Sequence, residues 1–250
     1  MNNDMGATNR EVYQSKGTVE SYRQEERLQP AEQNILELLK EKLFFMKMLD
    51  IGVGAGRTTV HFAPLVKEYL GIDFSPNMIK ACQERFAGLS FQTLDARSME
   101  AFKDGAFDFI LFSYNGIDYI NHEDRAKALK EIKRVGKPGG FFCFSTHHLG
   151  YIKNFRQVSL NRNIIHSWHR LTQVNDVIRS QMPFAVIRDG GEDFKVQTYY
   201  IMPSLQLTAL HQMGFSDIRI FLGTTGKEVT GLSGVDLYTQ ERWLYYLCRI

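Results

Sequence analysis

The sequence predicts an α/β fold built on a doubly wound, mostly parallel sheet. Three observations carry that expectation. An apolar strand, Met46 to Ile51, enters a loop with glycine at every second position, Gly52-Val53-Gly54-Ala55-Gly56, and a helix over Arg57 to Leu65 follows. Further short apolar runs alternate with helical stretches, the pattern of strands joined by crossover helices. The run Phe107 to Tyr114 is almost continuously apolar, as a parallel strand buried on both faces must be.

The glycine loop sets the chemistry. Glycine admits backbone angles that other residues resist, and it lets the main chain touch a ligand directly. The helix behind it offers unpaired N–H groups to that ligand. A dinucleotide site needs glycine at the first, third and sixth positions. Counted from Gly52, the sixth position is Arg57 and the glycine falls at the fifth, Gly56. That spacing disfavours an NAD-dependent dehydrogenase.

The next elements follow in order. Lys67 to Ile72 reads as a strand ending in Asp73, and Ser75-Pro76 supplies a helix cap and a first-turn proline. A carboxylate closing a second strand can accept both hydroxyls of a ribose. Leu89 to Leu94 is a third strand, closing on Asp95-Ala96-Arg97. After the fourth strand, Asn121 caps a helix over Glu123 to Val135, a turn spans Gly136 to Gly140, and strand five runs from Phe141 to Ser145. A helix over Ser204 to Met213 stops at Gly214, and strands Asp217 to Leu222 and Arg242 to Arg249 finish the sheet, separated by a long loop from Gly223 to Glu241.

The G-x-G-x-G pattern after Leu49-Asp50-Ile51 resembles the first motif of the class I S-adenosylmethionine (SAM) methyltransferases. Leu129 to Gly140, ending in Lys137-Pro138-Gly139-Gly140, resembles that family's segment before its fifth strand. The resemblance is strong over Leu49 to Thr146 and weaker over Tyr199 to Ile250. It implies a Rossmann-like, seven-stranded sheet with an antiparallel last strand, SAM as cofactor and S-adenosylhomocysteine as product. Asp50, Gly52, Gly54 and Gly56 then belong to the cofactor loop, and Asp73 to the ribose. Phe74 and Met78 flank the adenine, with ordinary core packing as their other role. Asp95 meets the adenine amino group and the Ala96 N–H a ring nitrogen, unless Asp95 is simply a solvated turn residue. Ser113 joins the cofactor site at the end of strand four. Tyr22 lies near the methionine moiety or else pins an N-terminal helix to the surface.

The whole chain, 1–250, is expected to form one domain, with an N-terminal helical segment over 1–44 and an inserted lid over 150–202. Met1 to Arg10 is polar and expected to be mobile. A helix from Pro30 turns Ile35, Leu36, Leu38 and Leu39 toward the core. The insertion begins with a helical stripe, Ile164, Trp168, Leu171, Val174 and Ile178. A hairpin follows, Phe184 to Arg188 and Phe194 to Met202 around Asp189-Gly190-Gly191-Glu192-Asp193. Ligands bind beyond the carboxyl ends of such strands, so an insertion leaving strand five must lie over the site. Between Gly150 and Met182, Lys153, Arg156, Arg162, Arg170 and Arg179 stand against one acid, Asp176. That excess suits an anionic small-molecule substrate, or is a solvated helix face.

His147 and Tyr114 are the candidate general bases, with Tyr151 a third; each is equally able to be a hydrogen-bonded wall residue. Neighbouring strand residues face opposite ways, so only one of His147 and His148 can face the site. His166 and His169 lie one turn apart, but no further ligand pattern joins them and no metal site is expected.

Composition bounds these readings. The 250 residues are 44% hydrophobic with a net charge of +2, too mild to demand nucleic acid or membrane. Cys82, Cys143 and Cys248 are isolated, which suits a reducing compartment, and no apolar run is long enough to span a bilayer. Met1-Asn2-Asn3-Asp4 lacks the basic start and apolar middle of a signal peptide, and a cytoplasmic protein is expected. The leading expectation is methyl transfer to an O, N or C nucleophile of a small molecule. An RNA or protein methyltransferase is the second reading, weakened by Ser113-Tyr114-Asn115-Gly116 in place of an Asn-Pro-Pro-Tyr motif. A non-catalytic SAM-binding protein is the third.

Overall fold

The computed structural model describes residues 5–154, 175–188, 195–231 and 233–250. Strands β1 (Lys47–Ile51), β2 (Glu68–Asp73), β3 (Ser90–Thr93), β4 (Phe107–Phe112) and β5 (Gly136–His148) form a parallel sheet in the order β3-β2-β1-β4-β5. Beyond β5 lies β9 (Trp243–Arg249), antiparallel to it, and then β8 (Ser216–Leu222), antiparallel to β9. This is the doubly wound, Rossmann-like sheet with an antiparallel last strand.

Among the described residues, two further strands raise the total from seven to nine. β6 (Phe184–Ile187) and β7 (Thr198–Ile201) form the antiparallel hairpin of the insertion, and β7 joins the main sheet in parallel with β5. β5 runs on to His148, past the end of β4, whose last residue Phe112 sits opposite Phe144. His147 and His148 therefore have a free edge, and Tyr200 and Ile201 pair there, while Trp243 pairs His147 from the other side.

Helices cover both faces, and the alternation of strand side chains shows why. Phe109, Leu111 and Cys143 pack with Ile35, Leu39 and Leu43 of α3 (Pro30–Leu43) and with Cys82 of α5 (Pro76–Arg85). Ile110, Phe142 and Phe144 pack instead with Leu129 and Ile132 of α6 (His122–Val135) and with Leu210 of a helix over Pro203–Gln212. The caps read from sequence form: Ser75 Oγ accepts from the Met78 N–H at 3.4 Å and Asn121 Oδ1 from the Asp124 N–H at 2.8 Å.

Some local expectations are corrected. The helix after the glycine loop is only α4 (Thr59–Phe62) with a 3₁₀ turn to Leu65, because the loop's turns run on to Thr58. β5 begins at Gly136, not Phe141. Leu38 is 43% exposed, on the solvent side of α3. The N-terminus is not loose from residue 5 onward: α1 (Met5–Tyr13) buries Met5, Asn9 and Tyr13, four residues apart on one helix face. α2 (Lys16–Gln24) follows, with Ser15 as its cap. Within the insertion, a short helix α7 (Leu149–Lys153), helical residues 175–180 and the hairpin are described. Ile164, His166, Trp168, His169, Leu171 and Val174 lie outside the described residues, as do Arg156, Arg162, Arg170 and the turn from Asp189 to Phe194.

Candidate functional site

A cavity of about 370 Å³ opens at the carboxyl ends of β1, β2 and β4. Its wall includes Gly52 and Gly54 after β1, Asp73, Phe74 and Met78 after β2, Asp95 and Ala96 after β3, and Ser113 and Tyr114 after β4. Tyr22 of α2 is also on the wall. Ten residues singled out from sequence thus meet in one space, although they come from five separate parts of the chain.

The loop is shaped for close approach. Gly52, Gly54 and Gly56 all have positive φ, at 64°, 55° and 90°. The Gly54 N–H donates to Asp73 Oδ2 at 3.0 Å, and the Ser75 N–H to Asp73 Oδ1 at 2.8 Å. The loop and the second strand end are therefore locked together through one carboxylate. Burial pushes the Asp73 carboxyl up to about 6, with these two N–H bonds pulling against it.

Three of the expected site residues are placed elsewhere. Asp50 is not on the cavity wall. It is buried behind the loop, where Thr58 Oγ1 and Tyr69 OH donate to its Oδ2 at 2.6 and 2.7 Å. The reason is strand alternation: Ile51 reaches the cavity, so its neighbour Asp50 points the other way. Burial lifts its carboxyl to about 6 as well. Gly56 also faces away from the cavity, against the Phe86 ring. His147 is the third. Its Nδ1 and its backbone N–H both bond Asp118 Oδ2, at 2.8 and 2.7 Å. His148 turns to the opposite side, with Nδ1 3.2 Å from the Tyr238 carbonyl.

Arg57 explains its own departure from the dinucleotide pattern. Its guanidinium runs back under the loop and makes a bidentate pair with Glu32 of α3, both bonds at 2.6 Å. Ser113 Oγ also donates to Glu32, and Tyr245 OH does so at 3.3 Å. Burial alone lowers the Arg57 pKa, but Glu32 outweighs it and holds the guanidinium above its ordinary value. The same guanidinium sits 4.5 Å from the centroid of the Tyr114 ring. Tyr114 and Asn115 are both left-handed, at φ 52° and 59°, a costly conformation for residues with side chains. Burial raises the Tyr114 hydroxyl above its usual pKa, so it is a donor at neutral pH.

Sequence reasoning missed much of the wall. Asn9, Arg10, Glu11 and Tyr13 line the cavity from α1, and Gln14 from the turn after it. The signal was the four-residue spacing of Met5, Asn9 and Tyr13, set in an otherwise polar stretch. Asn9 anchors this helix to the insertion, donating to the Gln197 carbonyl and accepting from its N–H, both at 2.9 Å. Arg97 was also missed. It holds Asp95 with Nε at 3.0 Å and reaches Asp124 at 2.8 Å. Burial raises the Asp95 carboxyl, but the Arg97 bonds and charge prevail and leave it below the usual carboxylate range.

An open doubly wound sheet with a glycine loop after the first strand, an acid after the second and an antiparallel final strand is the architecture that the resemblance to class I SAM-dependent methyltransferases implies. Residues 48–140 match the model of the methyltransferase domain family. The chain is 34% identical over 107 residues to YcgJ of Bacillus subtilis (strain 168), an uncharacterized methyltransferase, covering 41% of each. It is 36% identical over 107 residues to a demethylmenaquinone methyltransferase of Staphylococcus aureus, covering 40% of this chain and 43% of that one. The chain thus spans about two fifths of the length of these curated relatives. Among solved structures, a SAM-dependent methyltransferase from Mesorhizobium loti superposes with a TM-score of 0.63 at 19% identity, over 88% of this chain and 98% of that one. A 1,6-didemethyltoxoflavin-N1-methyltransferase from Burkholderia thailandensis, with S-adenosylhomocysteine bound, gives 0.59 at 14%, over 97% and 87%.

Proposed function

We propose that the protein transfers the methyl group of SAM to an O, N or C nucleophile of a small molecule, and that the 370 Å³ cavity holds the cofactor. The observation that carries this reading is the meeting of Gly54 and Asp73 at the cavity wall. A left-handed glycine backbone is tied there to a buried carboxylate with unfilled lone pairs. That pairing fits a nucleoside: Asp73 accepts the ribose hydroxyls, and the bare Gly52 and Gly54 backbone lets the chain approach. Phe74 and Met78 offer apolar surface to a purine, Asp95 and the Ala96 N–H its polar edge, and Tyr22 and Ser113 the amino-acid end.

SAM supplies a methyl group already activated by its sulfonium. The protein's task is to align the nucleophile and exclude water, which contributes roughly 7–11 kcal/mol in well-oriented systems. The insertion is read as the cover of the acceptor, since β7 docks at the end of β5 and Asn9 ties α1 to its base. Its basic excess favours an anionic acceptor. The demethylmenaquinone and didemethyltoxoflavin enzymes, whose names give small-molecule acceptors, support the same class. Cys82, Cys143 and Cys248 are free and buried, in keeping with work in the cytoplasm. Among the described residues no helix is long and apolar enough to cross a membrane.

Calorimetry with SAM, S-adenosylhomocysteine and NAD tests the cofactor. Binding of the first two at micromolar level and not the third is expected, and preference for NAD overturns the reading. Radiolabelled SAM with panels of small anionic and neutral metabolites, and with total RNA and protein, then identifies the acceptor class. Label found only in macromolecules would refute a small-molecule acceptor.

A further inference from the structure

We propose that Arg97 is a positioning residue that sets the cofactor site's choice of base, by holding the Asp95 carboxylate ready for the 6-amino group of an adenine; this rests on the methyltransferase reading above. The Leu94 N–H donates to the Asp73 carbonyl at 2.9 Å, so the segment after β3 is tied to the end of β2. Phe74, Met78 and Leu94 are apolar members of the cavity wall, and Asp95, Ala96 and Arg97 continue it as a polar edge. Apolar surface with a few placed polar groups is what an aromatic base needs.

Three N–H groups of Arg97 close on Asp95. The backbone N–H donates to Oδ1 at 2.9 Å, Nη2 donates to Oδ2 at 2.7 Å, and Nε lies 3.0 and 3.1 Å from the two oxygens. A carboxylate offers about four acceptor sites, so one is left for a ligand. The Asp95 and Arg97 side chains are 28% and 32% exposed, so packing alone does not hold either of them. The planar fork of the guanidinium does, because two parallel bonds fix the carboxylate plane as well as its position. The other end of the guanidinium is anchored too. Nη1 donates to Asp124 Oδ2 at 2.8 Å, and Asn121, the cap of α6, donates to the same oxygen at 3.1 Å.

These contacts make a two-part test of the base. The remaining Asp95 site takes a donor and refuses an acceptor. The Ala96 N–H takes an acceptor and refuses a donor. Adenine presents an amino donor at position 6 and a lone pair at position 1, and a 6-oxo purine presents the reverse at both. Burial raises the Asp95 carboxyl, but the Arg97 bonds and charge hold it below the usual carboxylate range, so at neutral pH it only accepts. A lysine at 97 would bring the charge without the fork.

Calorimetry on the full chain tests the assignment with S-adenosylhomocysteine and its 6-oxo analogue, S-inosylhomocysteine. The wild type should bind the adenine form roughly 10–100-fold more tightly, the effect of leaving buried polar groups unpaired or opposed. Arg97→Lys keeps the charge and loses the fork, and Arg97→Ala loses both. In each, the preference should fall at least about fivefold, through weaker binding of the adenine form. Thermal melts check folding, and either variant decides alone if the other does not fold. A merely structural role would weaken both ligands equally and leave their ratio in place, which overturns the proposal. So does a wild type with no preference, or a preference in Arg97→Lys equal to that of the wild type. A wild type that binds neither ligand, nor SAM, sinks the methyltransferase reading itself, whereas firm S-adenosylhomocysteine binding with an unmoved ratio sinks only the role of Arg97.

Discussion

Arg57 and Glu32 form a two-bond ion pair beneath the glycine loop, joining the segment after β1 to a helix that precedes it. Both side chains are buried, with relative exposures of 9% and 0%. Burying two charges is costly unless the geometry is good, and removing one of them leaves the other unpaired. Arg57→Ala should therefore destabilise the protein by about 3–5 kcal/mol. Urea unfolding checks this. The double variant Arg57→Met, Glu32→Leu should recover most of the loss, and a double variant as unstable as the single would show that the charges are not the cause.

If Asp73 holds the cofactor ribose as proposed, its buried carboxyl should make SAM binding depend on pH. Its folded pKa is raised to about 6, so its own contribution to stability is present at low pH and is lost as pH rises through 6. Ribose hydroxyls donate to the ionised form and favour it. SAM affinity should therefore weaken as pH falls through about 6. Asp73→Asn should bind SAM more weakly at pH 7.5 and show a flatter profile. Calorimetry from pH 5 to 8 checks both, and an affinity independent of pH in the wild type would remove Asp73 from the site.

Gly56 is required by packing and not by the ligand. A Cβ there would lie 2.2 Å from Phe86 Cε2, at a φ of 90°. Gly56→Ala should cost about 1–3 kcal/mol in crowding and about 1–3 kcal/mol more in backbone strain. Adding Phe86→Leu should return only the first part. Thermal melts of the three proteins measure the difference, and full rescue would argue against backbone strain.

Burial raises the Tyr114 hydroxyl above its usual pKa, so a role as donor and wall is expected in preference to one as base. Tyr114→Phe should raise the acceptor's KM and leave the pH profile of kcat in place. A lost alkaline limb in that variant would restore it as a base.

Acid pH should loosen the insertion's hairpin. His122 stacks on Phe184 at 3.9 Å and its Nδ1 meets Tyr199 OH at 2.6 Å. Burial, then the Arg125 charge, lowers its pKa below 6.5. A depressed histidine contributes stability that is present above its unfolded pKa and lost as pH falls through the folded value. Protection from hydrogen exchange at residues 184–187 and 198–201 should fall as pH drops below the ordinary histidine value of 6.5, and His122→Phe should remove that dependence.

The sequence alone determined what short-range physics controls. Ser75-Pro76 and Asn121 cap their helices because the cap bond closes within three residues. The alternation along Phe109 to Phe112 assigns faces because side chains flip every residue, and the glycine spacing marks the loop because left-handed angles are a local demand. Such rules place Asp73, Phe74 and Asp95 at strand ends without a structure. They could not place Asp50, whose side depends on which strand face the cavity occupies, nor His147, whose partner Asp118 lies 29 residues away. Nor could they give the pairing of Arg57 with Glu32 across 25 residues, or of Asn9 with Gln197 across 188. Those contacts depend on how helices and hairpin settle on the finished sheet. An arginine or asparagine carries the same local preferences wherever its partner lies, so only tertiary packing selects the partner.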